Sequence, residues 1–125
     1  MKISQNIPNV TYIIQSYNPG QIVIKNHCYT NSLIVMPELI ISNFKANYFA
    51  DIQCKQLDIL IKHSIDILLI GTDERINFTT INRSLFNYCE NHKIGMEIMN
   101  IGAACRTYNL LVTEDRNTAT ILLIR

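Results

Sequence analysis

The sequence predicts an α/β fold, a single three-layer domain in which a mixed central β-sheet is joined by N-terminal β-hairpin strands and covered by about three helices. Two patterns predict this fold. The first half of the chain consists of short extended segments separated by turns, whereas the second half alternates continuous apolar runs with segments of helical periodicity. The length of 125 residues suits one domain with its own core, so we expect a single domain over 1–125.

Four strands are predicted in the first half. Residues 10–17 alternate in polarity as a half-buried strand does. The Asn-Pro-Gly sequence at 18–20 supplies a turn, because proline presets φ and glycine accepts a positive φ, and a second strand over 21–25 completes a hairpin. Apolar segments at 29–36 and 39–44 predict the third and fourth strands.

The first helix is predicted over 51–63, with its initial aspartate as the cap. Leu57, Leu60 and Ile61 lie on one face of this helix, and we expect that face to be buried. The nearly continuous apolar run at 66–71 that follows is typical of a strand covered on both sides.

A second helix is predicted to begin at Thr79 or Thr80, either of which can act as its cap. Gly95 suits the left-handed residue that commonly ends a helix. The apolar stripe of this helix consists of Ile81, Leu85, Tyr88 and Cys89.

A strand over 96–99, a third helix over 103–114 and a last strand over 118–124 complete the alternation. Because a helix joins the strands at 66–71 and 96–99, we expect a right-handed crossover between parallel neighbours. Such strands end at the same edge of the sheet, where open α/β sheets bind ligands. The segments that follow these two strands are therefore expected to meet.

Composition argues against several classes of function. The net charge is +1 and the basic residues form no block, so the chain has no electrostatic signature of nucleic-acid binding. No apolar run approaches the roughly 20 residues of a transmembrane segment, and we see no signal peptide. The four cysteines form no Cys-x-x-Cys pair, which is typical of reduced thiols, so we expect a cytoplasmic protein.

No cofactor or metal site is predicted. His27 and Cys28 are adjacent in an extended segment, so their side chains point to opposite faces and are poorly placed to share a metal ion. His63 and His92 lie near predicted helix C-termini, where the helix dipole favours positive charge, and we expect both at the surface. The chain also lacks the glycine-rich motifs of dinucleotide-binding and P-loop proteins.

A candidate ligand site combines two segments. Gly71 and Thr72 follow a buried strand, where glycine allows the backbone to turn sharply or to approach a ligand. Asn100 is a good cap for the third helix, and the first-turn N–H groups beside Arg106 can hold an anion. The sequence therefore predicts a pocket between Gly71-Thr72 and the helix start at Asn100–Arg106.

Two interpretations of this helix start remain open. In the first, Cys105 has a lowered pKa near the helix dipole and is nucleophilic. In the second, the segment is structural: Ala103 and Ala104 allow the helix to pack closely on the sheet, and Thr107 bonds back to the chain. Arg106 then pairs with a carboxylate or a strand-end carbonyl.

The charged residues nearby offer no evident general acid and base. Asp73 and Glu74 look like solvated loop charges, Glu97 and Glu114 are possible partners of Arg106, and no histidine lies close in sequence. These observations favour a structural or binding role over catalysis.

Several strings of residues occur in a characteristic order along nearly the whole chain. They are Ser32-Leu33-Ile34-Val35 with Pro37, Leu68-Leu69-Ile70-Gly71-Thr72, Glu97-Ile98-Met99, Ala103-Ala104-Cys105-Arg106-Thr107-Tyr108-Asn109, and Glu114 with Arg116. Together they resemble the family named after a methanogen protein of unknown function, which includes mitochondrial respiratory complex I assembly factor 3 and many bacterial proteins. The resemblance implies a three-layer α/β domain with a mixed sheet and no established enzymatic activity or cofactor. It also implies that the mitochondrial relatives are non-catalytic helpers that bind another assembly factor and nascent subunits.

The chain departs from the family pattern in three places. Asp73 replaces the second glycine of a usual Gly-Thr-Gly, and Thr79 stands where a proline usually opens the second helix. Asn100 and Ile101 replace an Asp-Thr pair before the alanines. An asparagine preserves capping while it removes charge, so these changes favour a structural role for the helix start.

Our leading hypothesis is a non-catalytic protein-binding factor without enzymatic activity, whose partners are respiratory-complex subunits or another assembly factor. The alternative is a small-ligand or anion-binding protein or enzyme that uses the pocket between Gly71-Thr72 and Asn100–Arg106. The candidate residues for that pocket are Gly71, Thr72, Asn100, Cys105, Arg106 and Thr107.

Overall fold

The computed structural model describes residues 11–75 and 82–125. The strands are β1 (Ser16–Asn18), β2 (Gln21–Ile24), β3 (His27–Tyr29), β4 (Leu33–Val35), β5 (Ile40–Ile41), β6 (Ile67–Gly71), β7 (Gly95–Met99) and β8 (Thr118–Leu122). The α-helices are α1 (Asp58–Lys62), α2 (Arg83–Asn91) and α3 (Ile101–Thr113), and two short 3-10 helices, Phe49–Asp51 and Cys54–Leu57, precede α1.

The strands form two sheets. Strands β1, β2 and β3 make an antiparallel sheet in that order, and the other strands make a mixed sheet in the order β5-β4-β8-β6-β7. In the mixed sheet β4 is antiparallel to β5 and β8, whereas β6 is parallel to β7 and β8. The predicted parallel pairing of the strands on either side of α2 is confirmed.

The side chains of alternate residues in the mixed sheet pack into two separate hydrophobic cores, one on each face. Leu68 and Ile70 of β6 pack on the core that holds α1, α2 and the 3-10 helices, whereas Leu69 packs on the opposite core with α3 and the small sheet. Strands β4 and β8 are divided in the same way. Because a strand covered on both sides exposes neither face, it is apolar throughout, as the sequence of β6 shows. The predicted three-layer α/β fold is confirmed.

The N-terminal strands are shorter than the sequence predicts. Residues 12–15 belong to no strand, and α3 side chains bind them: the Tyr108 hydroxyl donates to the Tyr12 carbonyl at 2.8 Å, and Asn109 bonds both backbone groups of Ile14. The predicted strand at 39–44 is reduced to Ile40–Ile41. A side chain that bonds the backbone can replace a ladder partner, which periodicity does not reveal.

The predicted strand at 29–36 is wrong as a single element, because the chain changes sheets within it. Strand β3 belongs to the small sheet and β4 to the mixed sheet. Ser32 lies at the transfer point, where its hydroxyl accepts the N–H of Ile124 at 2.9 Å and its carbonyl accepts the N–H of Phe44 at 2.7 Å. These bonds hold the chain beside the end of β8.

The predicted helix at 51–63 is also wrong in its first half, because α1 begins only at Asp58, after the 3-10 helix Cys54–Leu57. Asp51, the predicted cap, is instead the last residue of the other 3-10 helix. The Ile52 carbonyl accepts a hydrogen bond of 2.9 Å from the Asn82 side-chain amide, so a distant side chain satisfies a carbonyl that a continuous helix would bond internally. Leu57 and Leu60 are buried as predicted, but Ile61 is 42% exposed.

Helix α2 begins at Arg83, with Asn82 as its cap, because the Asn82 side chain accepts the Leu85 N–H at 3.2 Å. Thr79 and Thr80, the predicted caps, lie outside the described residues, as does Ile81. The left-handed residue after α2 is Lys93, with φ of 58°, and not Gly95 as predicted.

A very close contact joins β6 to α3. A Cβ atom at Gly71 would lie 2.8 Å from the Ala104 Cβ, 2.8 Å from a Leu122 side-chain carbon and 3.3 Å from the Ile101 Cα. Ala104 and Leu122 are fully buried. The helix therefore lies on the sheet at a distance that only glycine permits at position 71.

We predict that Gly71→Ala destabilises the fold by about 1–3 kcal/mol, because α3 must move away from β6 to admit the methyl group. Gly95→Ala is the matched control, since its added Cβ meets nothing closer than the Asp66 carbonyl oxygen at 3.8 Å. Urea denaturation of both variants measures the difference. Equal free energies of unfolding for the two variants would contradict this account of the contact.

Candidate functional site

The two segments of the predicted site meet at one edge of the mixed sheet. Gly71 is paired with Met99 at the ends of β6 and β7, and the Thr72 N–H donates to the Met99 carbonyl at 2.9 Å. Asn100 follows directly and begins α3. The parallel register therefore places Thr72 and Asn100 side by side, as the sequence indicates.

The first turn of α3 is bonded by the chain's own side chains. The Asn100 side-chain oxygen accepts the Ala103 N–H at 2.8 Å, which confirms its predicted role as the cap. One oxygen of the Asp73 carboxylate accepts the Ile101 N–H at 3.2 Å. An anion at this helix start would compete with a carboxylate that already occupies the favourable end of the helix dipole.

Asp73 is exposed and Glu74 is half-buried, and both carboxylates also accept hydrogen bonds, which the interpretation as solvated loop charges did not include. The second Asp73 oxygen accepts the Tyr17 hydroxyl at 3.3 Å. Glu74 accepts the Phe49 N–H at 2.6 Å and the Thr72 hydroxyl at 2.9 Å through one oxygen. Both carboxylates thus tie the segment after β6 to elements that are distant in the chain, which no local pattern reveals.

The candidate residues are distributed over two depressions. Thr72 and Asn100 line an open depression of about 480 Å³, together with Asp73, Glu74, Ile98 and Met99. Cys105 and Arg106 line another of about 250 Å³, between α3 and the β1 segment. Gly71 is buried beneath the helix, and Thr107 is half-buried and lines neither depression. The predicted single pocket is therefore divided by the start of α3.

The Cys105 thiol is placed as a core group. Its residue is 5% exposed, and burial raises its pKa from 9.0 to about 11, although the positive charge of Arg106 acts in the opposite direction. A thiol with a raised pKa carries little thiolate at neutral pH, and the thiolate is the nucleophile. This geometry does not provide the activation that a reactive cysteine requires.

Arg106 is exposed, and one guanidinium nitrogen lies 3.3 Å from the position of a Cβ on Gly102, near the Tyr17 ring. In residues 11–75 and 82–125 neither Glu97 nor Glu114 pairs with it, since the single close contact found there between a basic side chain and a carboxylate joins His63 and Glu38 at 3.5 Å. Burial and the Asp73 carboxylate both raise the pKa of Tyr17, which keeps its hydroxyl a donor.

The described part of the chain contains no group of three or more His, Cys, Asp or Glu side chains placed to hold a metal ion. His63 and His92 follow α1 and α2 as predicted, and a His92 ring nitrogen lies 2.9 Å from the Tyr88 carbonyl.

The sequence did not predict the hydrogen bonds that three side chains make in this region: Tyr17, Asp73 and Asn109. Asp73 carried a signal, because it replaces a glycine of the family pattern. Asn109 carried one as the last residue of the characteristic string at 103–109, whereas Tyr17 carried none, because its partner is distant in sequence.

Residues 14–123 match the family described as protein of unknown function (DUF498/DUF598). The chain belongs to this family.

Curated relatives include two proteins named NADH dehydrogenase [ubiquinone] 1 alpha subcomplex assembly factor 3. The Xenopus tropicalis protein is 24% identical over 112 residues, which are 88% of this chain and 60% of the relative. The Drosophila melanogaster protein is 29% identical over 91 residues, 71% of this chain and 46% of the relative. This chain thus spans about half the length of those two relatives. The 13 kDa major membrane protein of Francisella tularensis is 26% identical, with 87% of this chain and 88% of the relative covered.

Solved structures of similar proteins share the fold. The NMR structure of Xanthomonas campestris XCC1710 has a TM-score of 0.80 at 26% identity and covers 96% of this chain and 89% of its own. An outer membrane protein from Bartonella henselae has a TM-score of 0.75 at 26% identity, with 93% and 97% covered. A Mth938-like domain from Bordetella pertussis has a TM-score of 0.75 at 22% identity, with 98% and 92% covered. In the chain described here, none of the helices in residues 11–75 and 82–125 is of the length and apolarity needed for a membrane span.

We predict that Asp73→Ala lowers the free energy of unfolding by about 1 kcal/mol, because the Ile101 N–H loses its acceptor and the helix start loses a negative charge. Asp73→Asn should cost less, since an amide oxygen can still accept the bond. Glu114→Ala makes the same change of charge beyond the other end of α3 and should be neutral or slightly stabilising. Urea denaturation compares the three variants; a greater loss in Glu114→Ala would contradict the assignment.

We predict that iodoacetamide labels the exposed Cys28 readily and Cys105 very slowly in the folded protein. The raised pKa alone lowers the thiolate fraction of Cys105 about 100-fold at neutral pH. Because the pKa is higher in the folded state, the stability that this thiol contributes is present below pH 9 and is lost as the pH rises toward about 11. Peptide mass spectrometry measures labelling at each cysteine, and equal rates for Cys28 and Cys105 would contradict the prediction.

Proposed function

We propose that this protein is a non-catalytic protein-binding factor that assists the assembly of a multi-subunit complex, with respiratory complex I as the leading candidate. The observation that carries the proposal is the similarity to assembly factor 3 over 88% of this chain. The described residues that form the site support it. The start of α3 is bonded by Asn100 and Asp73, and Cys105 is a buried thiol.

The partners in this proposal are respiratory-complex subunits or another assembly factor. We propose the cytoplasm as its compartment, since all four cysteines lie among the described residues and none forms a disulfide. The names of the Francisella and Bartonella relatives refer to membranes. A factor that serves a membrane complex from the aqueous side is compatible with these names and with the free cysteines.

The second candidate is a small-ligand protein. The observation that favours it is the depression of about 480 Å³ lined by Thr72 and Asn100. It ranks second for an anionic ligand because Asp73 and Glu74 line the same depression and repel negative charge.

Affinity capture from a native lysate of the host tests the leading proposal, with Gly71→Ala as a destabilised control that reports non-specific adhesion. We expect the wild-type chain to retain a small set of proteins that includes subunits or assembly factors of one complex. Retention of no protein, together with turnover of a metabolite by the purified chain, would contradict it. Isothermal titration with inorganic phosphate addresses the second candidate.

A further inference from the structure

Strand β7 lies at one edge of the mixed sheet. Its inner side pairs with β6 along the whole strand, and among the described residues no strand pairs with its outer side. An open edge presents unpaired N–H and C=O groups that an extended segment of another chain can bond.

The direction of each backbone group of β7 follows from two hydrogen bonds. The Gly95 N–H donates to the Asp66 carbonyl at 2.8 Å, and the Met99 carbonyl accepts the Thr72 N–H at 2.9 Å. Since successive residues of a strand direct their backbone groups to opposite sides, Gly95, Glu97 and Met99 bond β6. The N–H and C=O groups of Met96 and Ile98 therefore face the open edge.

The side chains of β7 define what can pair there. Met96 and Ile98 are half-buried and pack against the core beneath α2. Glu97 is exposed on the opposite face of the strand, and no cation of the described residues pairs with it. A pairing segment would thus place two apolar side chains beside the core and one side chain opposite a carboxylate.

This charge argues against a second copy as the occupant. Antiparallel pairing of two β7 strands about their middle residue, with Met96 opposite Ile98, places Glu97 opposite Glu97, and like charges directly opposite each other destabilise a sheet. A charge on an edge strand is a common protection against self-association. A lysine or arginine of a pairing segment that lies opposite Glu97 would instead stabilise the pairing.

We infer that the open edge of β7 binds an extended segment of a partner protein in which a lysine or arginine, flanked by apolar residues, lies opposite Glu97. The inference rests on the proposed function, because it describes the chemistry of the protein partner. The backbone groups of Met96 and Ile98 supply the hydrogen bonds, and Glu97 selects the sequence.

Two blocked synthetic peptides test the inference, Thr-Thr-Val-Lys-Val-Thr-Thr and Thr-Thr-Val-Glu-Val-Thr-Thr, with NMR shifts and amide exchange of the full chain as the readout. We expect the lysine peptide to slow exchange at Met96 and Ile98, with little change at Glu97, whose N–H already bonds β6. The glutamate peptide should bind about two- to fivefold more weakly. Equal binding of both peptides, or shifts confined to other strands, would overturn the inference.

Two variants sharpen the test. Glu97→Lys should reverse the preference between the peptides. Met96→Pro removes an N–H that faces outward, a position at which edge strands tolerate proline, and should abolish binding. If Met96→Pro fails to fold, the test depends on whether Glu97→Lys reverses the preference between the two peptides. Concentration-dependent dimerisation that protects Met96 and Ile98 without peptide would identify a second copy as the occupant and overturn the inference.

Affinity capture with Glu97→Lys separates this inference from the proposed function. Loss of partners that the wild-type chain retains supports the inference. Equal retention by both chains overturns it and leaves the protein-binding function in place. Absence of partners with the wild-type chain counts against the function, and the peptide experiment still decides what the edge binds.

Discussion

The close approach of α3 to β6 is the contact on which the rest of the region depends. Gly71 and Ala104 allow the helix to lie so near the sheet that one added methyl group would overlap both a helix atom and a β8 side chain. That distance fixes where α3 begins, and so places Asn100 and Ile101 beside the segment that leaves β6. It also sets the position of Tyr108 and Asn109, which bind the N-terminal segment to the helix.

Most of the polar groups around this contact form hydrogen bonds within the protein. Asp73 connects the start of α3 to Tyr17, and Glu74 connects the same loop to Phe49 in the opposite layer. Each bond satisfies a backbone or hydroxyl group that would otherwise need water or a ligand. A site whose donors are already occupied by its own carboxylates is poorly suited to anions, and this favours protein binding over the anion-binding alternative.

Local patterns predicted what depends on neighbours in the sequence. The parallel unit around α2, the cap at Asn100 and the buried strand β6 all have periodic or capping signals. The prediction of the first helix was wrong in its first half because the Asn82 side-chain amide, far along the chain, donates a hydrogen bond to the Ile52 carbonyl. The prediction of one strand at 29–36 was wrong because the Ser32 hydroxyl accepts the Ile124 N–H at the point where the chain changes sheets. Propensity is overridden wherever a distant group supplies the hydrogen bond.

Adjacent residues were enough to predict the α/β class, the layering and the meeting of Thr72 with Asn100 at the carboxyl ends of β6 and β7, because periodicity, glycine and capping chemistry are local properties of a chain. What those residues do there depends on the packed fold. Packing buried the Cys105 thiol, divided the expected pocket at the start of α3 and placed the exposed Asp73 carboxylate on the Ile101 N–H. Burial and long-range hydrogen bonds arise from how layers pack, and no local pattern contains that information.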